Sequence, residues 1–491
     1  MVFSRSSGLW KVVLLFLLFA YQSVSATPDS LGDAMSGFLE KILEPLAQAA
    51  ADPVPAVNGT VSNITQSVVG AGNATVAAAT NGTSNLVFAH HIVGNTYNYT
   101  VSSWAADISL AAAKGVDAFA LNVGSDSWEP NQVANAYTAA RNLNSTLKLF
   151  LSFDMTSLPC SNASSATVLR NYVTTYVNHP NQLKVNGSVF VSTFSGESCK
   201  FGAASVDQGW TNTLKTNLTP TYFVPAFFID PATFGQYTVL NGAFNWNSGW
   251  PLGNYDTNFT TDQTYLNGLG NRSYMAAVSP WFFTHYGVNS YNKNFIYRGD
   301  DWLFAERWEA LIANRTRVPF AEVISWNDYG ESHYIGPVQG VQPMSQSWVN
   351  GFDHTGWLDL MQYYITAYKT GTYPVVTKDR TFLWGRLYPA AATSSDPVPK
   401  PTNWQWTQDY VWGTVLLTSP AIVQLTCGTS STRAALPAGL SKISLGLTAA
   451  CSVTTNITRG AVTTTFTPTN YNFSLKPPSY NFNAFVAASP A

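Results

Sequence analysis

From residue 86 onward, short apolar runs alternate with longer stretches in which apolar residues recur every three or four positions. The runs at 86–91, 118–123, 147–154, 189–194, 222–229, 243–246, 274–279 and 322–326 are rich in Val, Phe, Leu and Ala, as strands buried on both faces are. Between and after them, 104–114, 131–143, 166–177, 302–313 and 358–370 have helical spacing. Such alternation predicts a parallel sheet covered by helices. Eight candidate strands over this length predict a (β/α)8 barrel rather than an open doubly wound sheet. No G-x-G-x-x-G follows the first run, which removes the usual dinucleotide case, and no cofactor is expected.

After residue 373 the texture shifts. Short β-rich runs at 381–388, 410–417, 421–427, 442–447, 451–455, 462–467 and 481–486 are separated by Gly, Pro and Asn turns, which predicts a β-sandwich. Pro-rich 396–401 falls between its first two strands and reads as an internal loop. The expected fold class is therefore α/β, with a catalytic barrel over 86–372 and a sandwich over 373–491.

Upstream, Arg5 and Lys11 precede an apolar run at 12–21, and Val24-Ser25-Ala26 fits a small-residue cleavage site. This predicts a secretory signal peptide over 1–26. The run falls short of the roughly 20 apolar residues a membrane helix needs, so no membrane association is expected after its removal. Leu31, Met35, Phe38, Leu39, Ile42 and Leu46 have amphipathic helical spacing, and 52–84 is a sequon-bearing Ala/Val/Asn/Thr/Gly stretch. Together 27–85 reads as an N-terminal extension and glycosylated linker.

Charge sharpens this picture. Charged residues make up only 11% of the chain, against about 25% in an average soluble protein. The net charge of −2 gives no reason to bind nucleic acid. Something else must solvate the surface. Sequons at Asn58, Asn63, Asn73, Asn81, Asn98, Asn144, Asn162, Asn186, Asn217, Asn258, Asn271, Asn314, Asn456 and Asn472 offer glycans for that role. Four cysteines allow three pairings; Cys160 with Cys199 and Cys427 with Cys451 is the expected one, because it asks for no contact between domains. A monomer is expected.

Candidate chemistry gathers at the ends of the apolar runs. His90 and His91 end the first, Asn122 and Asp126 follow the second, and Asp154 ends the third. Glu197, Asp230, Trp246 with Trp250, and His285 follow the next four. The last run ends in Ser325-Trp326-Asn327-Asp328-Tyr329-Gly330-Glu331-Ser332-His333. Polar groups on one rim with Trp and Tyr between them suit a carbohydrate, whose C–H faces stack on rings while its hydroxyls need Asp, Asn and His. Glycoside hydrolysis needs two carboxyl groups, and Asp328 with Glu331 is the densest pair. A competing reading makes Asp328 an N-cap and Glu331 its capping-box partner, but Gly330 and Gly336-Pro337 leave little room for a helix. His90 reads equally as a substrate ligand or a structural histidine. Without H-E-x-x-H or paired C-x-x-C, no metal site is expected, and the absence of G-x-S-x-G weakens a serine esterase.

Several stretches in order carry a resemblance. Leu86-Val87-Phe88-Ala89-His90, Val93-Gly94-Asn95, Asp117-Ala118-Phe119-Ala120-Leu121-Asn122, Leu149-Phe150-Leu151-Ser152-Phe153-Asp154, Ser279-Pro280-Trp281-Phe282-Phe283-Thr284-His285 and the segment from Ser325 to Tyr334 resemble the fungal α-1,3-glucanases, or mutanases, of glycoside hydrolase family 71. Leu383-Trp384-Gly385-Arg386 and Tyr410-Val411-Trp412 extend the likeness into the distal part. The resemblance implies endo- or exo-hydrolysis of α-1,3-glucosidic bonds in fungal cell-wall glucan, with inversion, by a barrel followed by a β-sandwich; the signal peptide makes a secreted, extracellular or wall-bound location the expectation. The resemblance places the acidic pair at Asp328 and Glu331, with Glu331 assigned as general acid and Asp328 as general base. His90, Asn122, Asp154, Trp246, Trp326, Tyr329 and His333 are expected to line the cleft. His91 and Ile92 depart from the family's usual residues, which is expected to alter a subsite. The rival readings are an inactive wall-binding protein and a hydrolase of another linkage.

Overall fold

The computed structural model describes residues 85–491. The expected signal peptide, N-terminal helix and linker lie outside these residues, apart from Asn85. The first part contains strands β1 (Leu86–Ile92), β2 (Ala118–Val123), β3 (Lys148–Asp154), β4 (Lys184–Val185), β5 (Ser188–Phe194) and β6 (Thr221–Phe223). It continues with β7 (Gly242–Asn245), β8 (Ser273–Val278), β9 (Phe283–His285), β10 (Asn294–Ile296) and β11 (Phe320–Val323). The intervening helices are α1 (Val101–Ala113), α2 (Glu129–Asn142), α3 (Ala163–Tyr176), α4 (Val206–Leu214), α5 (Thr260–Leu269) and α6 (Leu303–Ala313). Short α7 (Gln346–Val349) and long α8 (Thr355–Thr370) follow β11.

The main sheet is curled and mostly parallel, in the order β4-β5-β3-β2-β1-β11-β8-β7, with β6 also on β5. Pairing of β11 with β1 brings the last strand beside the first. No ladder joins β6 to β7, where the Asn241 N–H donates to Phe223 O at 2.9 Å and the Phe244 N–H to Pro225 O at 2.8 Å. The apolar run expected as one strand over 222–229 is cut to Thr221–Phe223, and Pro225, which lacks an N–H, interrupts it. A six-residue 3-10 turn at Pro231–Gln236 stands where the barrel pattern calls for a helix.

Side-chain alternation explains why the strands look continuously apolar. Phe88, Phe150, Phe190 and Phe320 point to one side of the sheet and pack ring on ring, with centroids 4.8–5.7 Å apart. Val87, Ala89, Phe119, Leu121, Leu149 and Leu151 point to the other side, under the helices. The helices have local causes as well. Thr100 caps α1 through a reciprocal box with Ser103, and Gly371 ends α8 at φ +82°.

The distal part holds two antiparallel sheets. One has the order β16 (Gly439–Gly446), β13 (Tyr410–Leu417), β12 (Arg380–Gly385), β20 (Phe485–Ala488). The other runs β15 (Ser430–Leu436), β14 (Ala421–Cys427), β17 (Cys451–Arg459), β18 (Val462–Phe466), with β19 (Asn472–Phe473) beside β17. Leu383, Val411 and Ile443 of the first share a core with Val423, Leu425 and Val453 of the second. The first sheet's opposite face, through Phe382, Trp384 and Val486, joins the core beneath α8. Packing is therefore unbroken across residue 373. Cys160 is bonded to Cys199 and Cys427 to Cys451.

One buried charge locks the helical layer to the sheet. Arg307 of α6 is fully buried and meets Asp262 of α5 through both terminal nitrogens, at 2.7 and 2.6 Å. Its Nε donates to Ala277 O of β8, and the Tyr274 hydroxyl donates to Asp262 Oδ1. Removing one partner leaves the other charge unpaired in the core. Arg307→Leu is expected to cost about 3–5 kcal/mol of stability, read as a lowered urea midpoint. The Asp262→Ala/Arg307→Leu double variant is expected to lose less than the sum of the single losses.

Candidate active site

The segment after β11 folds back on itself. The Ser325 N–H donates to His333 O and the Ile335 N–H to Ser325 O, at 2.7 and 3.0 Å. Trp326 N–H donates to His90 O at 2.7 Å, and Phe283 N–H to Glu331 O at 3.0 Å. Asn327 continues the pairing with β1 by its side chain: its Oδ1 accepts from the Ile92 N–H and its Nδ2 donates to Ile92 O. The loop is thus bonded to β1 and to β9.

Glycine matters here for space rather than for turning. A Cβ on Gly330 would lie 2.3 Å from the Tyr286 hydroxyl. The left-handed residue is Ser332, at φ +60°. The competing capping reading holds in one respect, since the Glu331 N–H donates to Asp328 Oδ1 at 3.2 Å. Only turns follow, with no helix until α7.

Asp328 and Glu331 converge on one imidazole. His333 Nε2 lies 3.5 Å from Asp328 Oδ2 and 3.2 Å from Glu331 Oε2. The two carboxylates keep 24% and 26% side-chain exposure, while the histidine is sealed. Its ring stacks on Phe282 at 5.7 Å and meets Trp250 at 5.5 Å. From the turn between β9 and β10, Lys293 Nζ reaches within 3.6 Å of Glu331 Oε1.

Charge separates the two acids. Burial raises the Asp328 pKa above the ordinary value, and although His333 opposes this, the Glu331 charge reinforces it. Burial also pushes Glu331 upward, but the His333 hydrogen bond and the Lys293 charge outweigh it and leave Glu331 below its usual range. Burial alone would discharge His333; the acids overcome it and raise its pKa. One donor atom from each of the three groups lies within 4.8 Å of the others, a spacing that could also hold a divalent cation.

The other expected cleft residues divide. His90, Asn122, Asp154 and Trp246 lie at inward positions at the ends of β1, β2, β3 and β7. His90 and Trp246 meet edge to face at 5.0 Å. His90 Nδ1 is 2.7 Å from Glu322 Oε1, so the histidine also has a structural partner. Asp154 accepts from the N–H and hydroxyl of Thr156. Trp326 and Tyr329 do not line the cleft. Both are fully buried on the helix side, Trp326 against Phe119 and Tyr329 against Tyr334, because the apolar pocket under the loop takes the whole ring. His91 also points outward, with Nε2 3.1 Å from Asp107, so it lies away from the mouth, where the expected change to a subsite would need it. His285 is held between Asn294 and Asp396. Lys293 and Glu322 were missed. Lys293 sits in a polar turn with no periodicity, whereas an acid inside the apolar run of β11 was a readable signal.

Residues 83–491 match the family model described as glycosyl hydrolase family 71. The chain belongs to this family. It is 40% identical over 413 residues to a glucan endo-1,3-alpha-glucosidase of Schizosaccharomyces pombe, covering 82% of this chain and 94% of that one. An ascus wall endo-1,3-alpha-glucanase of the same organism is 35% identical over 346 residues, covering 66% and 77%. A mutanase of Penicillium rubens is 34% identical over 388 residues, covering 76% and 79%. This member of family 71 is thus a glycoside hydrolase, and among the described residues Asp328, Glu331 and His333 form a cluster of possible acid, base or metal ligands.

Lys293→Met is expected to raise the Glu331 pKa, because the carboxylate loses a nearby cation. The limb of the pH–rate profile that Glu331 controls then moves to higher pH, and Lys293→Arg keeps it near its original place. Full activity in EDTA is expected if the cluster works without a metal; loss in EDTA with recovery on adding a divalent cation would reverse that.

Proposed function

We propose that this protein hydrolyses α-1,3-glucosidic bonds of fungal cell-wall α-glucan, with Asp328 and Glu331 as its acid/base pair. The observation carrying the roles is that two partly exposed carboxylates share His333 yet have opposite pKa shifts. Paired groups whose pKa values are driven apart suit donor and acceptor roles. Names of the relatives support the linkage. The curled sheet, its strand order and the two hydrogen bonds across the β6–β7 seam support a (β/α)8 barrel, and the shared core of the distal sheets supports a β-sandwich.

The charges around the pair favour Asp328 as proton donor and Glu331 as base, the reverse of the order assigned from the family resemblance. The Lys293→Met profile distinguishes them. A shift of the acidic limb makes Glu331 the base, and a shift of the basic limb makes it the donor. Inverting enzymes typically hold their carboxyls about 6.5–9.5 Å apart. Here one oxygen of each carboxylate lies within 4.8 Å of the other.

Secretion fits the two disulfides and the exposed sequon asparagines Asn98, Asn144, Asn162, Asn186, Asn217, Asn258, Asn271 and Asn472. No helix among the described residues is long and apolar enough to cross a membrane.

Purified protein is expected to release reducing sugar from α-1,3-glucan and not from β-glucans or α-1,4-glucan. Asp328→Ala and Glu331→Ala should each lower kcat by about 10²–10⁴-fold, and full activity in either variant would remove the assignment. NMR of the first product should show the β-anomer; an α-anomer would turn the base into a nucleophile.

A further inference from the structure

The rings at the mouth of the main sheet form a continuous series. His90, Trp246, Phe194 and Phe228 meet edge to face, with successive centroids 5.0, 4.8 and 5.3 Å apart. The series begins at buried His90, passes half-buried Trp246 and Phe194, and ends at Phe228, which is 39% exposed. Burial therefore decreases along it. A carboxylate stands beside the exposed end. The Ser195 hydroxyl donates to Glu197 Oε1 and Oε2 at 3.2 and 3.1 Å, and the Phe228 N–H approaches Oε2 at 3.4 Å.

The backbone of β1 links the series to the acidic loop. His90 O accepts from the Trp326 N–H, two residues before Asp328, so strand β1 carries one end of the ring wall and anchors the acidic loop. We propose that Trp246, Phe194 and Phe228 form a subsite for glucosyl units beyond the bond being cut. Each ring stacks on the C–H face of a pyranose, and Glu197 accepts hydrogen bonds from the sugar's hydroxyls. The inference rests on the hydrolase reading above.

The chemistry favours a sugar over an apolar ligand. An acyl chain would cover the rings and give Glu197 no further hydrogen bond beyond those from Ser195 and Phe228, whereas each glucose presents both an apolar face and hydroxyl donors. Phe228, 39% exposed, offers the most open ring surface of the series.

The test compares kcat/KM on long and short α-1,3-gluco-oligosaccharides for the wild type, Phe228→Ala, Phe228→Trp and Glu197→Gln. The long-to-short ratio is expected to fall about tenfold in Phe228→Ala, the scale of one lost ring contact, and to recover in Phe228→Trp. Glu197→Gln should lower the same ratio. An unchanged ratio overturns the subsite, as does equal loss on both lengths, which marks a structural role. If Phe228→Ala does not fold, Glu197→Gln decides by the same criterion. A wild type that cuts neither length overturns the hydrolase reading and the subsite together; a wild type that cuts both with variant ratios unchanged overturns the subsite alone.

Discussion

Two carboxylates held against one sealed imidazole are the constraint around which this protein is built. Like charges this close repel, and burial penalises each of them further. His333 makes the arrangement tolerable by standing between Asp328 and Glu331, and Lys293 adds a cation on the side of Glu331. The result is asymmetric: one acid is driven up and the other down. The asymmetry arises because burial and the Glu331 charge raise Asp328, whereas His333 and Lys293 outweigh burial at Glu331.

Such a cluster demands a rigid support. Backbone bonds tie the loop to β1 through Trp326 and to β9 through Glu331, while Asn327 imitates a strand edge against Ile92. The rings of Trp326 and Tyr329 fill the helix-side core and anchor the loop from behind. Their value is mechanical. Asp328 and Glu331 are held on this short loop because Trp326, Asn327 and Tyr329 are committed to the core and to β1.

The sheet's interior is layered in the same spirit. Below, four phenylalanines close the core; above them stand His90, Glu322, Ser152 and Ser192, all buried. Above these are the partly open Asp154, Phe194 and Trp246. Polarity and exposure thus rise together toward the strand ends, the usual place for chemistry in such folds. The ring wall that ends at Phe228 belongs to this upper layer.

The sequence alone determined the elements whose causes are local. Apolar runs and helical spacing located all the parallel strands and five of the helices, because burial on two faces and on one stripe leaves different periods. The abrupt change from Val323-Ile324 to Asp328 and Glu331 marked the acidic pair. Only the tertiary structure decided what those acids experience. Lys293 reaches Glu331 from a hairpin that periodicity could not reveal, since β9 and β10 are three residues each. Trp326 and Tyr329 looked like cleft residues because sequence position gives proximity to the acids but not direction. Direction follows from the backbone path after the strand ends, where the period of two no longer holds, and that path is fixed by contacts with β1 and β9, distant in the chain.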